Sequence, residues 1–310
     1  MTSSELDFID EAAAAALLPE RDPRGHKGTF GRVVAVAGSL DYAGAALMAG
    51  AAALRAGCGL VTLCLPASLQ AVIAGRVPEL ITRGLTETAP YQLDPLKAAA
   101  TVVELPQDAL LLGPGLPPTR ANFRLVASLL RVEGAAAVVD AGALAALADA
   151  PGWTARLARP VVVTPHPGEF ARLGRVAGES DEERRAAAGA AAREWGVVVV
   201  LKGARTVIAA PAGRDLSPDF EVPARGTAGS GDVQAGVIAS LLGQGLAPFE
   251  AAALGVYLHA RAGDDISDQL GDAGLMATDL LAAIPRVRRH LRSVRDDDVR
   301  LGFEAPGDLP

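Results

Sequence analysis

An excess of basic charge, a cysteine pair at redox or zinc spacing and a long apolar run are all missing from this chain, and each absence closes off a class of function. The balance is acidic, with net charge −7 and pI ≈ 5.2, and no basic stripe offsets it. Nucleic acid and anionic membranes are therefore poor partners, and a phosphorylated ligand would have to be held by isolated cations and helix ends. That favours small molecules. Cys58 and Cys64 are the two cysteines, and the spacing of Cys58-Gly-Leu-Val-Thr-Leu-Cys64 suits neither a redox pair nor a zinc site. Both are expected to be buried as small hydrophobes. No apolar run is long enough to span a bilayer. Glu5, Asp7, Asp10 and Glu11 put the wrong charge ahead of the alanine run for a secretory leader, so a soluble, cytoplasmic protein is expected.

Two common nucleotide signatures are also missing. The stretch His26-Lys-Gly-Thr-Phe-Gly31 has the glycine and threonine of a phosphate loop but lacks the lysine-then-hydroxyl ending of a P-loop. No Gly-x-Gly-x-x-Gly opens a helix after a strand, which argues against the usual dinucleotide-dehydrogenase fingerprint.

What is present is a long alternation of apolar strands and small-residue helices. With 310 residues, half of them hydrophobic, and mean hydropathy +0.26, the chain can bury a large core. Apolar runs at Arg32–Gly38, Leu60–Leu65, Ala109–Gly113, Ala136–Asp140, Pro160–Thr164 and Val197–Leu201 read as strands buried on both faces. Helices are expected at Ala43–Ala56, Leu69–Ala74, Asn122–Val132, Ala141–Ala148, Gly168–Leu173 and Glu182–Glu194. That pattern specifies an α/β fold with a mostly parallel central sheet flanked by helices on both faces. Short strands at Arg205–Ala210 and Asp219–Val222, with turns at Ala212-Gly213 and Pro218, predict an antiparallel edge. Helices follow at Ser230–Leu242, Pro248–Gly263 and Ala277–Ile284. No linker or internal repeat interrupts the pattern. A single domain is expected over 27–290, flanked by an N-terminal tail or helix (1–26) and a loosely held C-terminal tail (291–310).

The chemistry concentrates in Gly226-Thr-Ala-Gly-Ser-Gly-Asp-Val-Gln-Ala-Gly236, a glycine-rich loop running into an apolar helix. Gly229, Ser230 and Gly231 read as a phosphate cradle, where successive backbone N–H groups converge on an anion at a helix start. Asp232 beside it would repel a phosphate unless it takes a proton from a group attacking that phosphate; otherwise it is a helix cap. Gly113-Pro-Gly-Leu-Pro117 follows a strand, where open α/β sheets bind ligands, though a plain tight turn has the same composition. In Thr164-Pro-His-Pro-Gly-Glu169 two prolines stiffen a turn around His166, which is either a ligand-facing imidazole or a surface histidine. Lysine occurs only at Lys27, Lys97 and Lys202 in a chain that otherwise uses arginine. Lys202 at a strand end, in Lys202-Gly-Ala-Arg-Thr206, suits a nucleotide phosphate if it is more than a solvated charge.

Taken in order, His26-Lys-Gly-Thr-Phe-Gly31, Gly38-Ser39, Gly113-Pro-Gly115, Thr164-Pro-His-Pro-Gly-Glu169, Leu201-Lys-Gly203 and Gly226-Thr-Ala-Gly-Ser-Gly-Asp232 resemble the ADP-dependent NAD(P)H-hydrate dehydratase family. The resemblance runs from Lys27 to about Leu281 and implies a ribokinase-like fold. Bacterial members often carry a fused N-terminal epimerase domain, for which there is no room before Lys27. Gln234 departs from the family, which usually has leucine there, and bears on packing more than chemistry. The implied activity is removal of water from hydrated NADH or NADPH, with ADP as co-substrate, Mg²⁺ as cofactor and a homotetramer as the assembly. By resemblance, Asp232 is the catalytic base, the hydrate meets Ala45, Gly115, His166 and Asp232, and the adenine nucleotide meets Lys202, Gly203, Ala204, Arg205, Thr206 and Gly231. Metal ligands are not specified. A ribokinase-like kinase of a vitamin precursor, or a non-catalytic nucleotide sensor, would share parts of this pattern; the Thr164–Glu169 turn weighs against the first and Asp232 against the second.

Overall fold

The computed structural model describes residues 8–218, 227–271 and 273–300. The strands are β1 (Phe8–Ile9), β2 (Arg32–Val36), β3 (Leu60–Pro66), β4 (Ile81–Leu85), β5 (Glu87–Ala89), β6 (Gln92–Leu93), β7 (Ala109–Leu112), β8 (Ala137–Val139), β9 (Val161–Val163), β10 (Val198–Leu201), β11 (Val207–Ala209) and β12 (Asp215–Pro218). The helices are α1 (Glu11–Leu17), α2 (Ala43–Arg55), α3 (Ala67–Ile73), α4 (Pro95–Glu104), α5 (Arg120–Leu130), α6 (Gly142–Ala148), α7 (Pro167–Arg172), α8 (Asp181–Trp195), α9 (Ser230–Gly243), α10 (Pro248–Leu270) and α11 (Ala277–Arg300).

Ten strands form one sheet in the order β1-β12-β11-β10-β9-β8-β7-β2-β3-β4. From β10 to β4 every neighbour is parallel, as expected for strands apolar on both faces. Alternate residues of β2 show why: Val33 and Ala35 join one core, and Val34 and Val36 join the other. Helices α2, α9, α10 and α11 cover the first core, and α4 to α8 cover the second. β11 pairs antiparallel with β10 and β12, which makes the predicted antiparallel edge.

The small residues of α2 have a specific use. A Cβ placed on Gly236 of α9 would lie 2.1 Å from the Ala49 carbonyl oxygen, so the two helices meet backbone to backbone. Cys58 and Cys64 are free and buried, and burial pushes their thiols up to about 11 and about 12. They are the small hydrophobes expected of them.

Several local expectations need correcting. The second strand of the hairpin is β12 at Asp215–Pro218, so Pro218 ends a strand instead of making a turn; the expected strand at Asp219–Val222 lies outside the described residues. β12 is hard to see because Asp215 is a poor strand former, held here by Arg185 through bonds of 2.7 and 2.8 Å. α10 continues to Leu270. The tail expected from residue 291 is helical through Arg300, because Leu280, Ile284, Val287 and Leu291 form a buried stripe at helical spacing. The arginines between them hide that stripe from a reading of composition. At the other end, β1 pairs parallel with β12, so the N-terminal segment contributes to the sheet. β4, the β5–β6 hairpin and α4 were not anticipated.

Candidate active site

The carboxyl ends of β7, β8, β9 and β10 lead into Gly113-Pro-Gly115, Asp140, Thr164-Pro-His166 and Lys202, and α9 begins beside them. Their turns are tied together: Lys202 N donates to Pro165 O at 2.9 Å, and Gly38 N after β2 donates to Pro114 O at 2.7 Å. The crevice outside strand ends is where open α/β sheets bind ligands. The His26–Gly31 stretch is elsewhere. It precedes the amino end of β2, where Gly28, Thr29 and Gly31 line a hollow with Gln107 and Gly243.

The first turn of α9 starts without a capping side chain. Gly229 is its N-cap in the left-handed region (φ 88°), with no side-chain cap bond, so the helix-start N–H groups are not consumed by a capping side chain. Ser230 is turned away from the turn's open side: its Oγ and carbonyl oxygen lie 2.9 and 3.0 Å from Nε2 of the buried His259. Its N–H is engaged too, donating to Thr227 O at 3.2 Å, so in this arrangement Ser230 adds no open donor to the turn. Asp232 sits in the third helical position and is not the cap; its structural alternative is that of an acid in the first turn, interacting with the helix dipole.

Asp232 belongs to a charged cluster. Lys202 Nζ lies 2.6 Å from Asp140 Oδ1, and Asp140 is only 1% exposed. A Cβ on Gly231 would lie 3.1 Å from Lys202 Nζ and 4.0 Å from Asp140 Oδ2, which puts the pair directly against the cradle. Burial, then the neighbouring Asp140 carboxylate, pushes the Asp232 carboxyl up to about 6; Lys202 opposes this and Glu169 adds to it. Glu169 is also raised, first by burial and then by Asp140. Three carboxylates thus share one ammonium in a half-dry site, the setting in which a carboxylate becomes a competent base near neutral pH.

The other predicted residues divide. Ala45 and Gly115 meet: a Cβ on Gly115, whose φ is +69°, would lie 3.1 Å from the Ala45 Cβ and 2.5 Å from Tyr42 O. One turn further along α2, Met48 abuts Gly229, so α2 links this wall to the cradle. His166 is the N-cap of α7 in a capping box with Glu169. Its Nδ1 accepts from Gly168 N at 3.0 Å and its backbone N–H donates to Glu169 Oε2 at 2.9 Å; Nε2 of the half-exposed ring lies 3.6 Å from the same Glu169 oxygen. In the 202–206 turn, Gly203 packs under Arg184, which donates to Lys202 O at 2.8 Å. Ala204 is exposed and Thr206 is buried. Arg205 pairs with Asp181 at 3.4 Å and lies over the Phe8 ring, which directs it to α8 and β1 instead of to the cluster. Gln234 is buried, and its Oε1 has no hydrogen-bond partner among the described residues.

Sequence reasoning missed Asp140, Arg184 and His259, and quoted Glu169 without giving it a role. Asp140 carried a usable signal: a charged residue closing an apolar strand, the same feature that singled out Lys202.

The family model for NAD(P)H-hydrate dehydratase matches residues 33–286. The chain belongs to the NAD(P)H-hydrate dehydratase family. It is 46% identical over 302 residues to the bifunctional NAD(P)H-hydrate repair enzyme Nnr of Moorella thermoacetica, covering 96% of this chain and 56% of that one. It is 36% identical over 280 residues to the ADP-dependent (S)-NAD(P)H-hydrate dehydratase of Xanthomonas campestris, covering 89% and 94%. The chain spans about half the length of the bifunctional relatives it matches. Among solved structures, the Bacillus subtilis ADP/ATP-dependent NAD(P)H-hydrate dehydratase co-crystallised with ATP and Mg²⁺ superposes with TM-score 0.80 at 31% identity, covering 93% of this chain and all of that one. A ribokinase-like superfamily protein of Enterococcus faecalis superposes at 0.78 with 26% identity, in keeping with the family's ribokinase-like architecture.

Proposed function

We propose that this chain is an ADP-dependent (S)-NAD(P)H-hydrate dehydratase, a carbon–oxygen lyase that returns hydrated NADH or NADPH to the intact cofactor, with residues 27–290 as its catalytic unit. The observation that carries the reading is Asp232. In a chain of this family, its carboxyl stands raised to about 6 at the first turn of α9, beside the one ammonium of the cluster.

In this reading Asp232 takes the proton of the ring hydroxyl, and the hydroxyl oxygen attacks the terminal phosphorus of ADP. A ring phosphate ester forms and AMP leaves. The lone pair of the ring nitrogen then expels phosphate, and loss of a proton from the adjacent ring carbon restores the double bond. Backbone N–H groups of Gly229 and Gly231 and the Lys202 ammonium stabilise charge on the phosphoryl group in transfer. Ala45 and Gly115 form one wall for the dinucleotide, and His166 offers it Nε2. Gly203, Ala204, Thr206 and Gly231 border the adenine nucleotide; Arg205 would reach it only by leaving Asp181.

Among the described residues no three His, Cys, Asp or Glu side chains form a metal cage. Nucleotide-bound Mg²⁺ needs none, since it keeps water and phosphate oxygens as ligands with one or two carboxylates. The donor set fits that ion: Asp140 is taken by Lys202 and Glu169 Oε2 by the His166 N–H, so the second carboxylate oxygen of Glu169 is the one that would hold it. When bound, Mg²⁺ neutralises the phosphate oxygens. The resemblance implies a homotetramer, and a cytoplasmic location is what the acidic N-terminal segment suggests; among the described residues no helix is long and apolar enough to cross a membrane.

Protein mixed with ADP, Mg²⁺ and hydrated NADH should restore the reduced-nicotinamide absorbance band and release AMP and phosphate in equal amounts. Phosphorylation of a vitamin precursor without recovery of the band would establish a kinase instead, and nucleotide binding without turnover a sensor.

A further inference from the structure

We propose that Asp140 is a positioning residue for this reaction, fixing the Lys202 ammonium against the first turn of α9 so that it forms the floor of the phosphate cradle. The inference takes its chemistry from the functional reading above, but it can be tested on ADP affinity alone. Asp140 has its side chain 2% exposed and its Oδ1 2.6 Å from Lys202 Nζ. A carboxylate this far from water requires a partner. Its partner is a lysine, whose four-carbon arm would otherwise range among Asp140, Glu169 and Asp232, the carboxylates that border it. An ammonium bonded to Asp232 would occupy the oxygen that has to accept a proton. Held by Asp140, it leaves that oxygen open.

The backbone holds Asp140 in place at some cost. Ala141, the next residue, has φ 48° and ψ −119°, a conformation disfavoured for any residue with a Cβ and one that persists only where its surroundings impose it. Gly113, with φ +120°, gives up its side chain to the Asp140 carbonyl, which lies 1.8 Å from where a Cβ would stand. Asp140 N donates to Leu112 O at 3.0 Å, and Asp140 O accepts from Ala143 N at 3.0 Å. On the opposite side, Gly231 leaves the space that Lys202 Nζ fills. Glycines on two elements and one strained alanine therefore converge on a single ion pair, whose ammonium faces the helix start.

The test is a double-mutant cycle of Asp140→Asn, Lys202→Met and the two combined, read by calorimetry with ADP and by steady-state kinetics. Asp140→Asn should weaken ADP by about 10- to 100-fold and lower kcat by up to about 10²-fold, as misplacement of a catalytic charge does. KM for the hydrate should be unchanged. The double variant should bind ADP no more weakly than Lys202→Met alone, because Asp140 acts only through the lysine. It also removes both charges together, so the comparison survives if Asp140→Asn does not fold. Losses that multiply in the double variant, or ADP affinity of Asp140→Asn within twofold of wild type, would overturn the proposal. Absence of hydrate turnover by the wild-type protein would instead overturn the reaction class, and the ADP cycle would still decide the role of Asp140.

Discussion

Replacing Asp232 by asparagine separates catalysis from stability in a direction that only a buried base produces. The carboxyl is raised from 3.8 to about 6, chiefly by burial and by Asp140. The folded protein therefore binds this proton more tightly than the unfolded chain does, and ionising Asp232 destabilises the fold. The sign follows: stability is lost as pH rises from about 3.8 through about 6, and at neutral pH the wild type carries the whole cost. At 1.36 kcal/mol per pKa unit this is on the order of 3 kcal/mol at most. Asp232→Asn keeps the shape and removes the charge, so at pH 7 it should unfold at higher denaturant or temperature than wild type, and the gain should shrink as pH falls below 6. Turnover should drop by about 10²–10⁴, the usual contribution of a general base, while ADP binds at least as tightly because a negative charge near its phosphates has gone. Equilibrium unfolding at pH 7 and pH 5, together with the nicotinamide absorbance assay, reads both effects. Near wild-type turnover with a lower melting temperature would refute the reasoning, since a helix-start acid without catalytic duty is worth about 1 kcal/mol or less.

For wild type, kcat/KM should rise with pH through an apparent pKa near 6 and level off above it; a profile flat from pH 5 to 8 would remove Asp232 as the titrating base. His166→Ala should weaken hydrate binding and leave ADP affinity nearly unchanged, with a stability loss of about 1 kcal/mol from the broken cap of α7; selective loss of ADP would move His166 to the nucleotide side. Gly236→Ala should destabilise the fold by about 1–3 kcal/mol, because the new methyl meets the Ala49 carbonyl at 2.1 Å. Unchanged unfolding would contradict the backbone contact between α2 and α9.

Strands buried on both faces announce themselves, which is why the parallel part of the sheet was legible from runs such as Val197–Leu201. The misses share a physical cause: their stability is tertiary. β12 has an aspartate and a proline in four residues and exists because β11 and Arg185 hold it. β4 is an edge strand with Ile81 and Arg83 exposed, so it lacks the apolar run that marks a central strand. The end of α11 carries five arginines between Arg286 and Arg295, and only the spacing of Ile284, Val287 and Leu291 betrays the buried stripe.

The site divides along the same line. Loop glycines were readable because the backbone conformations they permit are local: Gly229 and Gly115 both take positive φ. Lys202 was readable by rarity. What could not be read was the relation between residues far apart in sequence. Asp140 and Lys202 are 62 positions apart, and nothing in either local sequence says that their side chains meet; the order β8-β9-β10 puts the two strand ends on either side of β9, which His166 and Glu169 follow. The lysine read as a free nucleotide ligand is therefore already paired, and this changes what its loss would mean. Lys202→Ala would strand Asp140 as a buried, unpartnered charge, so lower ADP affinity in that variant would mix a lost phosphate contact with a damaged site. Only a variant that also neutralises Asp140 isolates the phosphate contact.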